Sequence, residues 1–271
     1  MSRWWGRRAA RAEAELPRGV YRKEDEARAA AGAGYEEEAL NAYIVRKAQR
    51  WLEALDPSSE PLPAHLVGLL LVVAAVAERA GRPVSVVDFG GGAPTVPVVL
   101  GKLGLGGWLA RYEIVETEAF RRVVPPSWED AANYTGELEL EGCDLLVLSG
   151  VLPYVGASTT RRVYGAIAAA GPRFVYLGRT SFLREDFPLR EVYTVQRSRF
   201  RDHGPQVDVD MEEVEGRVAS YVRRHFKRSE IEAVLMPLGY RRCLALQDDS
   251  GLEHIEGLGL YADNVLWERR T

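Results

Sequence analysis

One short run, Val86-Val-Asp-Phe-Gly-Gly-Gly-Ala-Pro94, constrains this chain more than any other. Val84–Phe89 is a compact β-branched stretch, and three consecutive glycines follow it at once. A strand that ends in Asp-x-Gly-x-Gly lets the backbone pass close to a ligand, because glycine has no Cβ to collide with it and tolerates positive φ. A nucleotide-like ligand can then lie against the loop at the N-terminus of the next helix. The spacing discriminates between cofactors. A dinucleotide fingerprint needs Gly-x-Gly-x-x-Gly, and counting from Gly90 and Gly92 puts Thr95 at the third glycine, which disfavours NAD and FAD. No Gly-Lys-Ser/Thr follows, so a Walker loop is excluded.

Around this run the chain alternates apolar strands with helical stretches. An apolar helix is expected over about 64–80, closed by Gly81 and Pro83, and apolar nearly all round as if buried between layers. Further strands are expected at Tyr112–Val115, Leu145–Leu148 and Phe174–Leu177, with a helix over Arg161–Ala170. Continuous apolar strands separated by helices imply a doubly wound, mostly parallel α/β sheet covered on both faces. Tyr240–Leu246 and Leu260–Trp267 are joined by too short a connection for a crossover helix, so they are expected to pair antiparallel at the end of the sheet. Ser229-Glu-Ile-Glu232 has the form of a capping box. Between Leu177 and that box lies a polar, Arg-rich stretch, about 179–225, read as an irregular substrate-facing insertion. The resulting organisation is a flexible basic N-terminus (1–16), a helical cap (17–81) and a ligand-binding domain (82–271).

Composition removes several function classes. With 46% hydrophobic and 27% charged residues, the 271-residue chain has the make-up of a folded globular protein. Its 35 basic and 39 acidic residues give a net charge of −4, which offers no nucleic-acid footprint. The longest apolar run, Leu66 to Ala77, is short of a bilayer span, and no apolar segment follows the N-terminal arginines. The two cysteines, Cys143 and Cys243, suit free thiols in a cytoplasmic protein. His65, His203, His225 and His254 lack metal-site spacing, so no metal is expected. Trp4 and Trp5 beside arginines leave membrane-surface contact by residues 1–16 open as an alternative to a frayed helix. Oligomeric state is not encoded in any of these features.

The second chemical signal is Glu116, at the tip of the strand Tyr112-Glu-Ile-Val-Glu and 28 residues beyond Asp88. A carboxylate there can accept hydrogen bonds from both hydroxyls of a ribose. The glycine run, Ile114-Val-Glu116, Asp144-Leu-Leu-Val-Leu-Ser-Gly-Val-Leu-Pro-Tyr154 and the terminal strand pair together resemble a class I S-adenosylmethionine-dependent methyltransferase. More narrowly, Gly19-Val-Tyr21, Gly34-Tyr35, Leu148–Val155, Arg179-Thr-Ser-Phe182 and Val195-Gln196 resemble, in order, landmarks of the methyltransferase group of the LIC12133 type. The resemblance implies a seven-stranded Rossmann-like sheet and S-adenosylmethionine as cofactor. It implies that Gly90, Gly91 and Gly92 line the methionine and ribose, with Asp88 near the amino-acid end, Glu116 on the ribose, and Ser149 and Gly150 beside the sulfonium and acceptor. Asn133, Tyr134 and Thr135 are the nearest candidates for the adenine contact, with Leu138–Leu140 as the edge of that strand.

A sulfonium is an activated donor, so the protein has mainly to align it with the acceptor and exclude water. For a hydroxyl acceptor His203, beside Asp202, is the candidate general base, against the alternative of a solvated loop histidine. Tyr154, Tyr193 and Gln196 are expected as walls of the substrate pocket. Arg179 and Arg184 could pair an anionic acceptor, the competing account being salt bridges to Glu185 and Asp186. Tyr21 and Tyr35 would stand near the mouth. The expected reaction is methyl transfer to oxygen or nitrogen of a small or medium-sized molecule, with a sugar or specialised metabolite suggested by the resemblance. A non-catalytic sensor or scaffold that keeps fold and cofactor is the alternative.

Overall fold

The structure, a computed structural model, describes residues 16–31, 38–199, 218–246, 255 and 258–270. It opens with β1 (Val20–Tyr21), α1 (Glu24–Ala30), α2 (Glu38–Ala54) and α3 (Ala64–Ala80). Then come β2 (Val84–Phe89), α4 (Thr95–Lys102), β3 (Leu109–Val115), α5 (Glu118–Arg121), α6 (Pro126–Glu129), β4 (Asn133–Thr135) and β5 (Leu145–Ser149). α7 (Ala157–Ala170), β6 (Phe174–Gly178), β7 (Ser181–Leu183), β8 (Glu191–Arg199) and β9 (Val218–Lys227) follow. The chain closes with α8 (Ser229–Leu235), β10 (Tyr240–Leu246), β11 (Leu260–Ala262) and β12 (Asn264–Arg269).

The central sheet has seven strands in the order β10-β12-β6-β5-β2-β3-β4. Its β6-β5-β2-β3-β4 portion is parallel, and β12 runs antiparallel to both β6 and β10. Strand alternation sorts the core into two layers. Val86, Leu145 and Val147 pack with Leu66, Leu70, Val73 and Val76 of α3 on one face. Val87, Leu146 and Leu148 pack with Val163 and Ile167 of α7 and Ile231 and Leu235 of α8 on the other. Both faces are covered, which is why these strands read as unbroken apolar runs. α3 ends where Gly81 turns left-handed (φ 65°) and its N–H reaches the Ala77 and Glu78 carbonyls. Val67 and Leu71, one turn apart on α3, are 48% and 50% exposed, so this helix is not buried all round.

A second sheet, in the order β1-β8-β9-β7-β11, occupies the stretch expected to be irregular. β8 and β9 pair antiparallel from Glu191↔Phe226 to Arg199↔Val218. Their pattern was masked because buried polar residues, Thr194, Arg223, Arg224 and His225, stand where a half-buried strand normally carries hydrophobics.

The two sheets share a corner. β6 passes into β7 through Arg179-Thr180, and β11 passes into β12 through Asp263. The expected single strand Leu260–Trp267 is therefore two. Leu260–Ala262 pairs with β7, while Asn264–Arg269 pairs with β6 and β10. The capping box is also corrected: Ser229 directs its N–H and hydroxyl to Glu185 (3.1 and 2.8 Å), and α8 starts after Arg228 with no side-chain cap. Among the described residues no helix is long and apolar enough to cross a membrane, and no His/Cys/Asp/Glu cluster suits a metal.

Candidate functional site

The glycine loop lies at the C-terminal end of β2, where β3 and β5 flank it. Gly90 takes φ 72° and donates its N–H to Val115 O at 2.9 Å, and a Cβ on it would lie 2.4 Å from Val151 Cγ2. A Cβ on Gly91 would meet Asp88 Oδ2 at 2.4 Å. At both positions a Cβ would collide with the loop's own neighbours, Val151 and Asp88, so glycine is required there by packing within the chain.

Around this loop stand four side chains, Asp88, Tyr112, Glu116 and Tyr134, brought together by the register of β2, β3 and β4. Asp88 is buried and accepts the Tyr112 hydroxyl at 2.7 Å. Loss of solvent, opposed by the Tyr112 hydrogen bond and aided by the Glu116 charge, pushes its carboxyl up to about 7. Burial, then the Asp88 charge, likewise raises the Tyr112 phenol. Glu116, at the tip of β3, accepts the N–H groups of Gly92 (3.1 Å) and Thr117 (3.0 Å), one on each carboxylate oxygen. Burial raises its pKa, and those two bonds oppose the rise. Tyr134, in register with Ile114, donates its hydroxyl to Gly92 O at 2.8 Å. Gly92 is thus held at both its N–H and its carbonyl.

Sequence reasoning had placed Asn133, Tyr134 and Thr135 near an adenine. They form the edge strand β4, and Leu138–Leu140 lies outside any strand. Asn133 bonds Glu113 at 3.2 Å and Thr135 takes the Glu137 N–H at 3.2 Å, leaving Tyr134 as the one of the three that grips the glycine loop. The roles of Tyr112 and Tyr134 were missed, since a strand tyrosine gives no local signal of which loop its hydroxyl reaches.

At the end of β5, Ser149 leads into Gly150 (φ 71°), whose N–H bonds Gly178 O at 2.7 Å. Beyond it Tyr154 reaches the second sheet, donating its hydroxyl to Gln196 Oε1 at 3.1 Å. Its ring meets Tyr221 edge-on (centroids 5.4 Å apart) and lies 5.5 Å from the Arg223 guanidinium carbon. The backbone closes the same contact, Arg224 N–H to Pro153 O at 2.7 Å. Tyr154 and Gln196, both expected as pocket walls, are in direct contact.

Alternation then explains what else is near. Thr194 and Gln196 of β8 share a face with Tyr221, Arg223 and His225 of β9. His225 meets Thr194 Oγ1 at 2.9 Å, and Arg223 donates to Ser181 Oγ at 2.8 Å. Burial, reinforced by the Arg223 charge, lowers His225 to about 3, so its imidazole stays neutral. This shared face went unrecognised although Tyr221-x-Arg-x-His225 has a strand period.

Tyr193 lies on the opposite face. There Arg224 is clasped by Glu191 (2.6 Å) and Glu230, and Tyr164 also bonds Glu230 (3.0 Å). Burial and the Glu191 charge push the Tyr193 phenol up to about 12. The structure does not bring Tyr193 together with Tyr154. Tyr21 sits opposite Tyr193 in the β1–β8 ladder. Arg184 pairs with Asp186 at 3.3 Å, as the competing account held, whereas Glu185 is taken by Ser229. Arg179 is exposed in a left-handed conformation. His203, Tyr35, Trp4 and Trp5 lie outside the described residues.

No protein-family model and no curated protein matches this chain. Among solved structures it is similar to an S-adenosylmethionine-dependent methyltransferase from Clostridium acetobutylicum, with 9% identity and a TM-score of 0.49 over 83% of this chain and 98% of that one. It is similar also to an amino pentose methyltransferase of calicheamicin biosynthesis from Micromonospora echinaspora, solved with S-adenosylmethionine, with 12% identity and a TM-score of 0.47 over 83% and 97%. The glycopeptide N-methyltransferase MtfA gives 16% identity and a TM-score of 0.41 over 74% and 90%. These are likenesses of backbone alone.

Proposed function

We propose that this chain is an S-adenosylmethionine-dependent methyltransferase acting on oxygen or nitrogen of a small or medium-sized acceptor. The carrying observation is the clasp of Gly92 by Glu116 and Tyr134 at the C-terminal end of a parallel sheet. Each Glu116 oxygen accepts one backbone N–H and keeps a lone pair for a ribose hydroxyl. The missing third glycine of a dinucleotide loop supports this cofactor over NAD.

In this reading Gly90, Gly91 and Gly92 pass along the methionine and ribose, Asp88 lies at the amino-acid end, and Ser149 and Gly150 flank the sulfonium. S-adenosylmethionine, when bound, supplies an electrophilic methyl group. The protein's own work is alignment and exclusion of water, for which effective molarity supplies on the order of 7–11 kcal/mol. Tyr154, held by Gln196, Tyr221 and Pro153 through Arg224, is a rigid wall on the acceptor side. Neutral His225 is too weakly basic to take a proton at neutral pH, so a hydroxyl acceptor would rely on another base, for which His203 stands as the candidate. Residues 82–271 would form the catalytic domain, with α3 of the expected helical cap as one of its packed layers, and α1 with the second sheet as the acceptor-side cover. The ordered landmarks from Gly19 to Gln196 support the narrower LIC12133-type likeness, and the free thiols support a cytoplasmic setting.

The test is incubation with cofactor labelled at the methyl group and a small-molecule extract. Label appearing in an extract compound supports the enzyme. Cofactor binding without transfer across many extracts favours the sensor.

A further inference from the structure

We propose that Arg179 reads an oxyanion, a carboxylate or phosphate carried by the acceptor, and that Asn264 positions it. The inference deepens the methyl-transfer reading and rests on it for the identity of the ligand as acceptor. Among the described residues Arg179 is the one non-glycine residue with positive φ, at 51°. It is the elbow at which the chain leaves the central sheet and enters the second. A left-handed backbone there is most easily met by glycine, and a residue bearing Cβ keeps such a conformation only where its surroundings fix it.

Two neighbours do so. Asn264, 1% exposed, accepts the Arg179 N–H on Oδ1 at 2.6 Å across the corner between the sheets. Gly150 adjoins from the β5 side, where a Cβ would lie 3.5 Å from Arg179 Cβ. Arg179 is thereby anchored beside the Ser149-Gly150 strand end, where the acceptor must approach. Its guanidinium is exposed and makes no hydrogen bond or ion pair among the described residues. Nearby cations differ: Arg184 is on Asp186, Arg224 on Glu191 and Glu230, and Arg228 on Glu232 and Asp263. A planar fork of donors at a strand end, on a backbone that glycine would satisfy with less strain, fits bidentate oxyanion recognition.

The full chain would be titrated by NMR with benzoate, phenyl phosphate and neutral benzamide, with and without S-adenosylhomocysteine. The ring protons report binding, and the stronger of the two anions identifies the carboxylate or phosphate source. Expected are saturable binding of an anion but not benzamide, and at least tenfold weaker anion binding in R179Q and R179G with S-adenosylhomocysteine affinity unchanged. R179G should melt at or above the wild-type temperature, and N264A should weaken anion binding although the guanidinium remains. Equal anion binding in wild type and R179Q, equal binding of benzamide, or a lowered melting temperature in R179G would overturn the proposal. Failure of wild-type protein to bind S-adenosylhomocysteine would remove the methyltransferase reading, while the titration without it still decides whether Arg179 binds anions.

Discussion

Replacing Glu116 by glutamine removes one negative charge while nearly preserving shape. In the wild type each carboxylate oxygen accepts a backbone N–H, from Gly92 at 3.1 Å and Thr117 at 3.0 Å. Glutamine keeps one acceptor, so one N–H then faces an amide donor. A ribose hydroxyl also loses its ionised partner. Hydrogen bonds to charged groups contribute about 1.5–3 kcal/mol net. Losing one such bond and weakening the loop clasp should cost about 2–3 kcal/mol, or about 30- to 150-fold in affinity for S-adenosylhomocysteine. Glu116 is partly exposed, so water can replace its backbone contacts, and stability should change by less than about 1 kcal/mol. Calorimetric titration measures the first effect and urea unfolding the second. An affinity within threefold of wild type would refute the assignment of Glu116 to the ribose, and a large stability loss would show a structural residue instead.

Three further outcomes follow from the same loop. The Asp88 carboxyl is raised from 3.8 to about 7, so its contribution to stability is fully present below about pH 4 and is lost as pH rises through about 7. The unfolding free energy of wild type from urea titrations should therefore fall relative to Asp88→Asn between pH 4 and 8, by a total on the order of 4 kcal/mol; parallel profiles would contradict it. Gly90→Ala places a Cβ 2.4 Å from Val151 Cγ2 on a left-handed backbone, and should destabilise by about 2–4 kcal/mol in urea unfolding, with an unchanged midpoint as the contrary result. Tyr134→Phe frees the Gly92 carbonyl and should weaken S-adenosylhomocysteine about 3- to 10-fold while leaving the melting temperature within a few degrees, about 1 kcal/mol being the net value of such a bond. Equal affinity would show that the loop needs no such grip.

The central sheet was legible because burial on both faces writes itself as continuous apolar runs: Val84–Phe89 was read at its true limits and Phe174–Leu177 within one residue of them. The second sheet was not legible, because its inward positions carry Thr194, Arg223 and His225, whose partners are side chains far along the chain rather than apolar neighbours. The split of Leu260–Trp267 is a related case. Nothing local marks Asp263 as a corner, and the bond from Arg179 N–H to Asn264 that spans it joins residues 85 positions apart. In the candidate site, glycine spacing and the terminal acid were visible as local chemistry. The bond of Tyr112 to Asp88 and that of Tyr134, named only as an adenine candidate, to Gly92 were not, since they depend on strand register. Tyr154, Tyr193 and Gln196 were grouped because they lie at or beyond expected strand ends, and only the strand alternation places Gln196 against Tyr154 and Tyr193 on the other face of β8.

The most direct measurement of the central claim is calorimetric titration of the full chain with S-adenosylmethionine, S-adenosylhomocysteine and NAD in parallel. The account predicts saturable one-site binding of the first two, weakened by Glu116→Gln, and none of NAD. Binding of NAD with neither sulfur compound taken up would contradict it.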